Sequence, residues 1–217
     1  MEPTAPAHPL AEYHRRRDFS RTAEPKGDDD RAGAEGRPVF VVQIHDATAM
    51  HFDFRLEVDG VLKSWAVPKG PSDDPHDRRL AMPTEDHPLA YRDFEGVIGE
   101  GTYGAGTVIV WDEGTYRNLT TDRTGHETPF AEALERGHAS FWLNGRKLHG
   151  GYSLTRIRTP RDDAGAREAW LLVKHADARA GSSGTPDPRR ARSARSGHTL
   201  GQVAAEAASP AGRTGSR

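Results

Sequence analysis

Between His51 and Val58 polar and apolar residues alternate without interruption, and Asp59-Gly60 follows at once. A period of two puts His51, Asp53, Arg55 and Glu57 on one side of an extended segment and Phe52, Phe54, Leu56 and Val58 on the other. Asp-Gly supplies the two left-handed positions of a two-residue hairpin turn. The chain then returns through Val61 to Val67, and Pro68 ends the strand. With Asp59 and Gly60 as the loop, Val58 pairs with Val61, Ser64 lies opposite Arg55, and Ala66 lies opposite Asp53. Upstream, in Val39 to His45, Val41, Gln43 and His45 fall on one face and Phe40, Val42 and Ile44 on the other, so Gln43 and His45 join the polar side of the strand that feeds the hairpin.

The remaining segments repeat this short-strand theme. Arg79 to Thr84, Thr107 to Trp111, Thr115 to Asn118, Ser140 to Leu143, Lys147 to Arg158 and Ala169 to Lys174 read as strands, with Asn144-Gly145 as a second tight hairpin signal. Glu85 to Tyr91 reads as a loop broken by Pro88. One helix is expected, with Thr128 as N-cap, Pro129 in the first turn and Gly137 as its stop. Gly99 to Gly106 carries a G-x-G-x-x-G spacing, but a β-branched strand follows where a phosphate-cradling fingerprint needs a helix, so it reads as a tight loop between strands. About eight short strands with turn signals make a mostly β domain, a sandwich or an antiparallel β-barrel with one or two short peripheral helices. A polar-faced strand suits a compact barrel with a polar active-site cavity open at one end.

The domain is expected over residues 38–177. Residues 1–37 read as a partly disordered N-terminal arm. Met1 to Glu12 is rich in Pro and Ala, Tyr13 and Phe19 offer anchors within a basic cluster, and Lys26 to Arg37 is a Gly/Asp linker. Residues 178–217 read as a disordered basic tail. From 181 onward six Arg face only Asp187 and Glu206, a local +4 that leaves −6 on the rest of a chain whose net charge is −2. By bulk charge the body is no basic nucleic-acid binder, so nucleic-acid contacts fall to local clusters or to the tail. Cysteine is absent, which excludes disulfides and thiolate metal sites. No apolar run approaches the ~20 residues of a membrane span, and no hydrophobic segment follows Arg15-Arg16-Arg17. The expectation is a cytoplasmic, monomeric protein without a membrane partner.

Two histidines and one carboxylate can hold a divalent first-row metal and leave positions open. His51 and Asp53 share a strand face, and His45 sits at the end of the neighbouring strand. Arg55, two residues further on, is the side chain suited to gripping phosphate through paired N–H donors. Metal beside arginine points to phosphoryl chemistry. A solvated strand face is the competing explanation of the same pattern. H-x-D with a distal His is also the facial triad of non-haem iron oxygenases on barrels.

The run FVVQIHDATAMHFDFRLEVDGVLKSWAVPKGPS, followed by TEDHPLAYRDFEGVIGEGTYGAGTVIVWD, closely resembles the 3′-phosphoesterase module of bacterial DNA ligase D, a module also met as a stand-alone protein. Weaker similarity extends over RRRDFSRTAEP, FWLNGRKLHGGYSLTRIR and AWLLVKH, about residues 13–177 in all. The resemblance implies a compact β-barrel and a manganese-dependent enzyme, with Co2+ or Zn2+ as substitutes, that heals DNA 3′ ends. It would remove a 3′-terminal ribonucleoside from a primer and then the 3′-phosphate left behind. It assigns the metal to His45, His51 and Asp53, the scissile phosphate to Arg55 and His87, and a positioning role to Tyr91, with His87 as general acid a further option. It adds Gln43, Ser64, Lys69, Arg79 and Glu85 around the pocket, and Arg17, Asp18 and Glu24 from the arm for the ribonucleoside. The implied partners are primer-template ends and a separately supplied ligase, polymerase or end-binding protein. A non-catalytic end-binding module that recruits a ligase is the alternative from another class. Thr48-Ala49, Phe52, Gly99 and Thr102 depart from the family's common residues, and none of them is a proposed ligand.

Overall fold

The structure is a computed structural model that describes residues 8–27, 36–157 and 168–209. Its strands are β1 (Val39–Asp46), β2 (Met50–Val58), β3 (Val61–Val67), β4 (Arg79–Pro83), β5 (His87–Pro88), β6 (Gly96–Ile98), β7 (Gly106–Asn118), β8 (His138–Gly145), β9 (His149–Ile157) and β10 (Ala169–Lys174). Among the described residues three α-helices, α1 (Ala11–Arg15), α2 (Phe130–Glu135) and α3 (Leu200–Ala208), and a short 3-10 helix (Leu89–Asp93) lie outside the sheet. Antiparallel pairings run β1-β2-β3-β4-β10-β9-β8-β7, and β7 pairs back onto β1, closing an eight-stranded barrel. Closure satisfies the edge groups that an open sheet would leave bare.

The central hairpin has the expected register: Val58 pairs with Val61, Arg55 with Ser64 and Asp53 with Ala66. Asp59 and Gly60 both have positive φ, 49° and 81°, as the two-residue turn requires. Phe52, Phe54, Leu56 and Val58 enter a core cluster to which all eight barrel strands contribute, among them Phe40, Trp65, Ala81, Ile109, Phe141, Leu154 and Leu172. An eight-stranded barrel has an interior just wide enough for side chains to fill. The polar face of β1 and β2 therefore looks outward. The cavity it lines lies on the outer wall, not in an open barrel mouth.

That outer wall is covered by a second apolar cluster. Val41, Val61, Leu62, Val108 and Val110 on the strands pack with Leu89, Tyr91, Phe94 and Ile98 from the segment between β4 and β7, and with Leu10 and Tyr13 from the arm. The disorder expected for Met1 to Glu12 does not extend over its last residues. Leu10 is buried and α1 begins at Ala11, because apolar anchors meet an apolar wall; residues 1–7 of that stretch, and 28–35 of the linker, lie outside the described residues.

The expected disorder of the tail is likewise corrected over residues 178–209. Ala191, Leu200 and Val203 are buried, and the Ala194 N–H donates to the Val110 carbonyl at 2.8 Å. The chain also donates from Gly181 N to Asp73 O at 2.8 Å and from Thr185 Oγ1 to Pro71 O at 2.6 Å. α3 is closed by a capping box in which Thr199 accepts from the Gln202 N–H and Gln202 accepts from the Thr199 N–H. A few small apolar residues and backbone bonds suffice because the barrel supplies the rest of the surface. Residues 210–217 lie outside the described residues.

Two local expectations shift. The helix begins at Phe130 with Pro129 at its N-cap, and the Thr128 side chain makes no cap bond; Gly137, at φ +86°, ends it as expected. The second hairpin turns through residues 145–148, since Asn144 pairs with His149 and Gly145 N donates to Leu148 O at 2.9 Å. The cause is Asp112, whose carboxylate accepts from the N–H groups of Arg146, Lys147 and Leu148 at 2.8–2.9 Å and shapes a wider loop. Among the described residues no helix is long and apolar enough to cross a membrane.

Candidate active site

His45 and His51 are direct cross-strand partners at the end of β1 and the start of β2, and Gln43 faces Asp53 two pairs further in, on the same face. The short turn between the strands thus brings His45, His51 and Asp53 to one face. Each offers a donor atom within 4.8 Å of the other two. His45 Nδ1 is 3.6 Å from Asp53 Oδ2, and His51 Nε2 is 3.6 Å from Asp53 Oδ1. The far nitrogen of each ring is tied to a carbonyl, His45 Nε2 to Gly104 O and His51 Nδ1 to Ala49 O, both at 2.8 Å. With protons held there, the lone pairs of His45 Nδ1 and His51 Nε2 turn toward Asp53. Bonds of about 2.1 Å to one ion need donor separations of roughly 3–3.5 Å, so this set fits a divalent metal after a small contraction. Burial works against the Asp53 charge, but the Arg55 guanidinium outweighs it and holds the carboxyl well below its usual range.

Arg55 stands directly behind the triad and is buried. Its Nη2 lies 3.1 Å from Asp53 Oδ2, its Nε donates to Gln43 Oε1 at 2.8 Å, and its Nη1 donates to Ser64 Oγ at 2.8 Å and lies 2.9 Å from His87 Nδ1. Among the described residues Nη2 meets only Asp53, which leaves one of its two N–H groups uncommitted. Gln43 is itself fixed, since its Nε2 donates to the carbonyls of Tyr91 and Phe94 at 3.1 and 3.0 Å. Gln43 and Ser64 therefore orient Arg55. The Tyr91 ring lies under the Arg55 guanidinium, 4.9 Å from its carbon.

The other wall comes from the arm. Arg17 is inserted with its side chain 4% exposed and pairs with Glu24 Oε1 at 2.8 Å and Glu85 Oε1 at 2.9 Å. Its Nη2 lies 3.2 Å from His87 Nε2, and its guanidinium carbon is 3.8 Å from the centre of the Tyr13 ring. Tyr91 Oη donates to the same Glu24 oxygen at 3.0 Å. Burial first, then Arg55 and Arg17, hold the His87 imidazole well below its ordinary pKa, so the ring is neutral. Burial likewise raises Tyr91 well above the usual phenol value. A cavity of about 260 Å³ opens between the two walls, lined by all three triad members, Arg55, Arg17, Glu24, Glu85, His87 and Tyr91.

Not every expected residue reaches it. Asp18 is exposed and caps its own turn, accepting from Ser20 N at 3.0 Å and Ser20 Oγ at 2.6 Å. Lys69 is exposed in the turn after β3. Arg79 opens β4 opposite Leu172 and donates to Asp77 Oδ2 at 2.6 Å. Conversely, Tyr103 and Gly104 from the loop between β6 and β7 line the cavity, although the glycine spacing there pointed only to a turn. Gly106 allows this approach: a Cβ on it would stand 2.3 Å from Asp46 O, at the end of the strand carrying His45. Arg16 also arrives, 3.2 Å from Glu85 Oε2.

A family model described as the DNA ligase D 3′-phosphoesterase domain matches residues 43–156, which include the donor triad, Arg55 and the His87 loop but not the arm. The chain belongs to this family. It is 48% identical over 211 residues to the multifunctional non-homologous end joining protein LigD of Pseudomonas aeruginosa, covering 96% of this chain and 24% of that protein. It is 45% identical over 152 residues to the multifunctional non-homologous end joining DNA repair protein LigD of Mycobacterium tuberculosis, covering 70% of this chain and 19% of that protein. A third relative, the LigD of Mycolicibacterium smegmatis, is 39% identical over 153 residues, 70% of this chain and 20% of the relative. The chain thus spans a quarter or less of the length of these relatives. Family membership, together with the donor triad, supports a metal-binding hydrolase of phosphate esters.

Proposed function

We propose that this protein is a manganese-dependent 3′-end-healing phosphoesterase acting on DNA primer-template ends. In the first step water attacks the phosphorus that joins a 3′-terminal ribonucleoside to the primer. The P–O5′ bond breaks, the nucleoside leaves with a protonated 5′-oxygen, and a 3′-phosphate remains. In the second step water cleaves the ester between that phosphate and the 3′-oxygen, giving inorganic phosphate and a 3′-OH. The observation that carries this reading is the adjacency of two opposite charges: a donor triad of two tautomer-fixed histidines and an ionised Asp53, with Arg55 3.1 Å behind it.

His45 Nδ1, His51 Nε2 and Asp53 would hold the metal, which when bound neutralises phosphate charge and acidifies water. Arg55 presents its uncommitted N–H to a phosphate oxygen, and its contacts with Gln43 and Ser64 keep it in place without reorganisation. His87 is neutral and serves as a hydrogen-bonding ligand to phosphate oxygen. Tyr91 fixes Glu24, and Glu24 with Arg17 forms the polar wall that receives the hydroxyl groups of a terminal ribose. Co2+ and Zn2+ suit the same donors. A ligase or polymerase supplied separately would consume the 3′-OH.

The test is a 5′-labelled primer ending in one ribonucleotide, annealed to a template and followed with Mn2+, Co2+, Zn2+ or chelator. The expected pattern is a shift first to the 3′-phosphate product and then to the 3′-OH product, with His51→Ala losing both steps. Unchanged mobility with every metal overturns the proposal.

A further inference from the structure

Among the described residues that line the cavity, Tyr103 is the one large side chain that is half exposed, at 48%, with buried or partly buried neighbours. It stands on a loop held at both flanks. On one side Thr102 N and Oγ1 bond to Gly99 O. On the other, Gly104 O accepts from the triad ring of His45 at 2.8 Å. The ring is therefore fixed relative to the donor triad through a single residue. Its face is already in use: the Arg16 guanidinium carbon lies 4.7 Å from the ring centre, its Nη1 contacts the phenol oxygen, and Arg17 is 5.8 Å away. Among the described residues Tyr103 bridges the arm and the loop across the cavity mouth.

A solvent-facing aromatic ring beside arginines at the mouth of a phosphate-ester site has the chemistry of a base-stacking platform. A nucleobase and a guanidinium are both flat and bind the same face of a phenol ring, so one can replace the other. We infer that Tyr103 stacks on the nucleobase of the 3′-terminal nucleotide, taking the place Arg16 holds in the free protein. The inference rests on the phosphoesterase reading and deepens it by naming what the site recognises beyond phosphate and ribose. Every base has a π-face, so the contact reads the presence of a base and not its identity. Arg16 stays tethered by Glu85 at 3.2 Å and is set free to meet the strand's phosphates.

Two measurements test it. The first compares primers ending in a ribonucleotide with primers ending in an abasic ribose, for the unmodified protein, Tyr103→Ala and Tyr103→Phe. The unmodified protein and Tyr103→Phe should show a KM about tenfold lower for the ribonucleotide end, and Tyr103→Ala should lose that preference with kcat kept. The second uses a 3′-terminal 2-aminopurine ribonucleotide with chelator present, so that no turnover is needed. Binding should quench its fluorescence in the unmodified protein and leave it bright in Tyr103→Ala. If no primer is cleaved but quenching depends on Tyr103, the phosphoesterase reading fails and the platform stands. Equal handling of both ends and equal quenching by Tyr103→Ala overturn the platform, whatever becomes of the phosphoesterase reading. The ring is exposed, so neither variant needs to disturb the fold, and circular dichroism checks this directly.

Discussion

The two ends of the described chain are alike in composition and opposite in what they do. Residues 8–27 and 178–209 are both polar and arginine-rich, and both dock on the barrel. The arm docks by burying charge alongside its apolar anchors Leu10 and Tyr13: Arg17 enters with 4% of its side chain exposed and meets Glu24 and Glu85, whose side chains are exposed 1% and 2%. The tail docks by burying small apolar groups and backbone bonds, and keeps its charges at the surface. Arg195 there pairs with Glu113 at 2.8 Å and Asp93 at 2.6 Å, with its own side chain 37% exposed. Buried charges have few permitted geometries, so the arm can be part of a site. Surface pairs are loose and screened, so the tail is a brace.

The sharpest way to break this contrast is Arg17→Ala. It leaves Glu24 and Glu85 buried without their main partner and removes one wall of the cavity. The expected result is a loss of about 3 kcal/mol in urea denaturation and a fall of at least ~100-fold in phosphoester cleavage. A variant that cleaves normally would show that the arm is only a cover. Leu200→Ala, at 5% exposure in α3, should cost about 2 kcal/mol in the same denaturation series while leaving kcat unchanged well below the melting temperature. Lost activity in the folded variant would place the tail in the chemistry after all.

Acid should separate the two ends as well. His87 is neutral in the folded state because burial, Arg55 and Arg17 depress its pKa. Below its ordinary value of about 6.5 the unfolded chain therefore binds the extra proton and the folded one does not. Stability should fall as pH drops through that range, first where the arm contacts His87. Hydrogen-exchange protection at residues 10–17, corrected for the intrinsic pH dependence of exchange, should fall between pH 7 and 5 while protection in α3 holds. Uniform change in both segments would sink the local cause. The smallest effect is expected for Glu113→Gln, which removes one charged partner of Arg195 and one of Arg146 at the surface. Under 1 kcal/mol should be lost at low salt, and the difference should vanish in ~1 M salt.

How much was legible in the chain varies with the range of the interaction that decides each element. The β2–β3 register followed from alternation and from Asp59-Gly60, because strand faces and turn dihedrals are local. The triad was legible too, since β1 and β2 are consecutive and His45 can meet His51 only across their short connection. Thr199-x-x-Gln202 carries a capping-box signal for α3, which the polar composition around it masked. Arg16, Tyr103 and Gly104 carried no local mark: each arrives from a different segment and acquires its role only by meeting the others. Asn144-Gly145 misled for the same reason, because Asp112, more than thirty residues earlier, shapes that loop.

The sequence by itself determined the antiparallel β character, the hairpin and the set of donor side chains, since periodicity and turn chemistry act between near neighbours. Tertiary structure decided that the barrel interior is filled with apolar side chains, so that the polar face of β1 and β2 looks outward. It also decided that the arm, not the barrel mouth, closes the site. Both outcomes depend on volume and on where charge can be buried in pairs, and those are properties of the packed molecule and not of any stretch of chain.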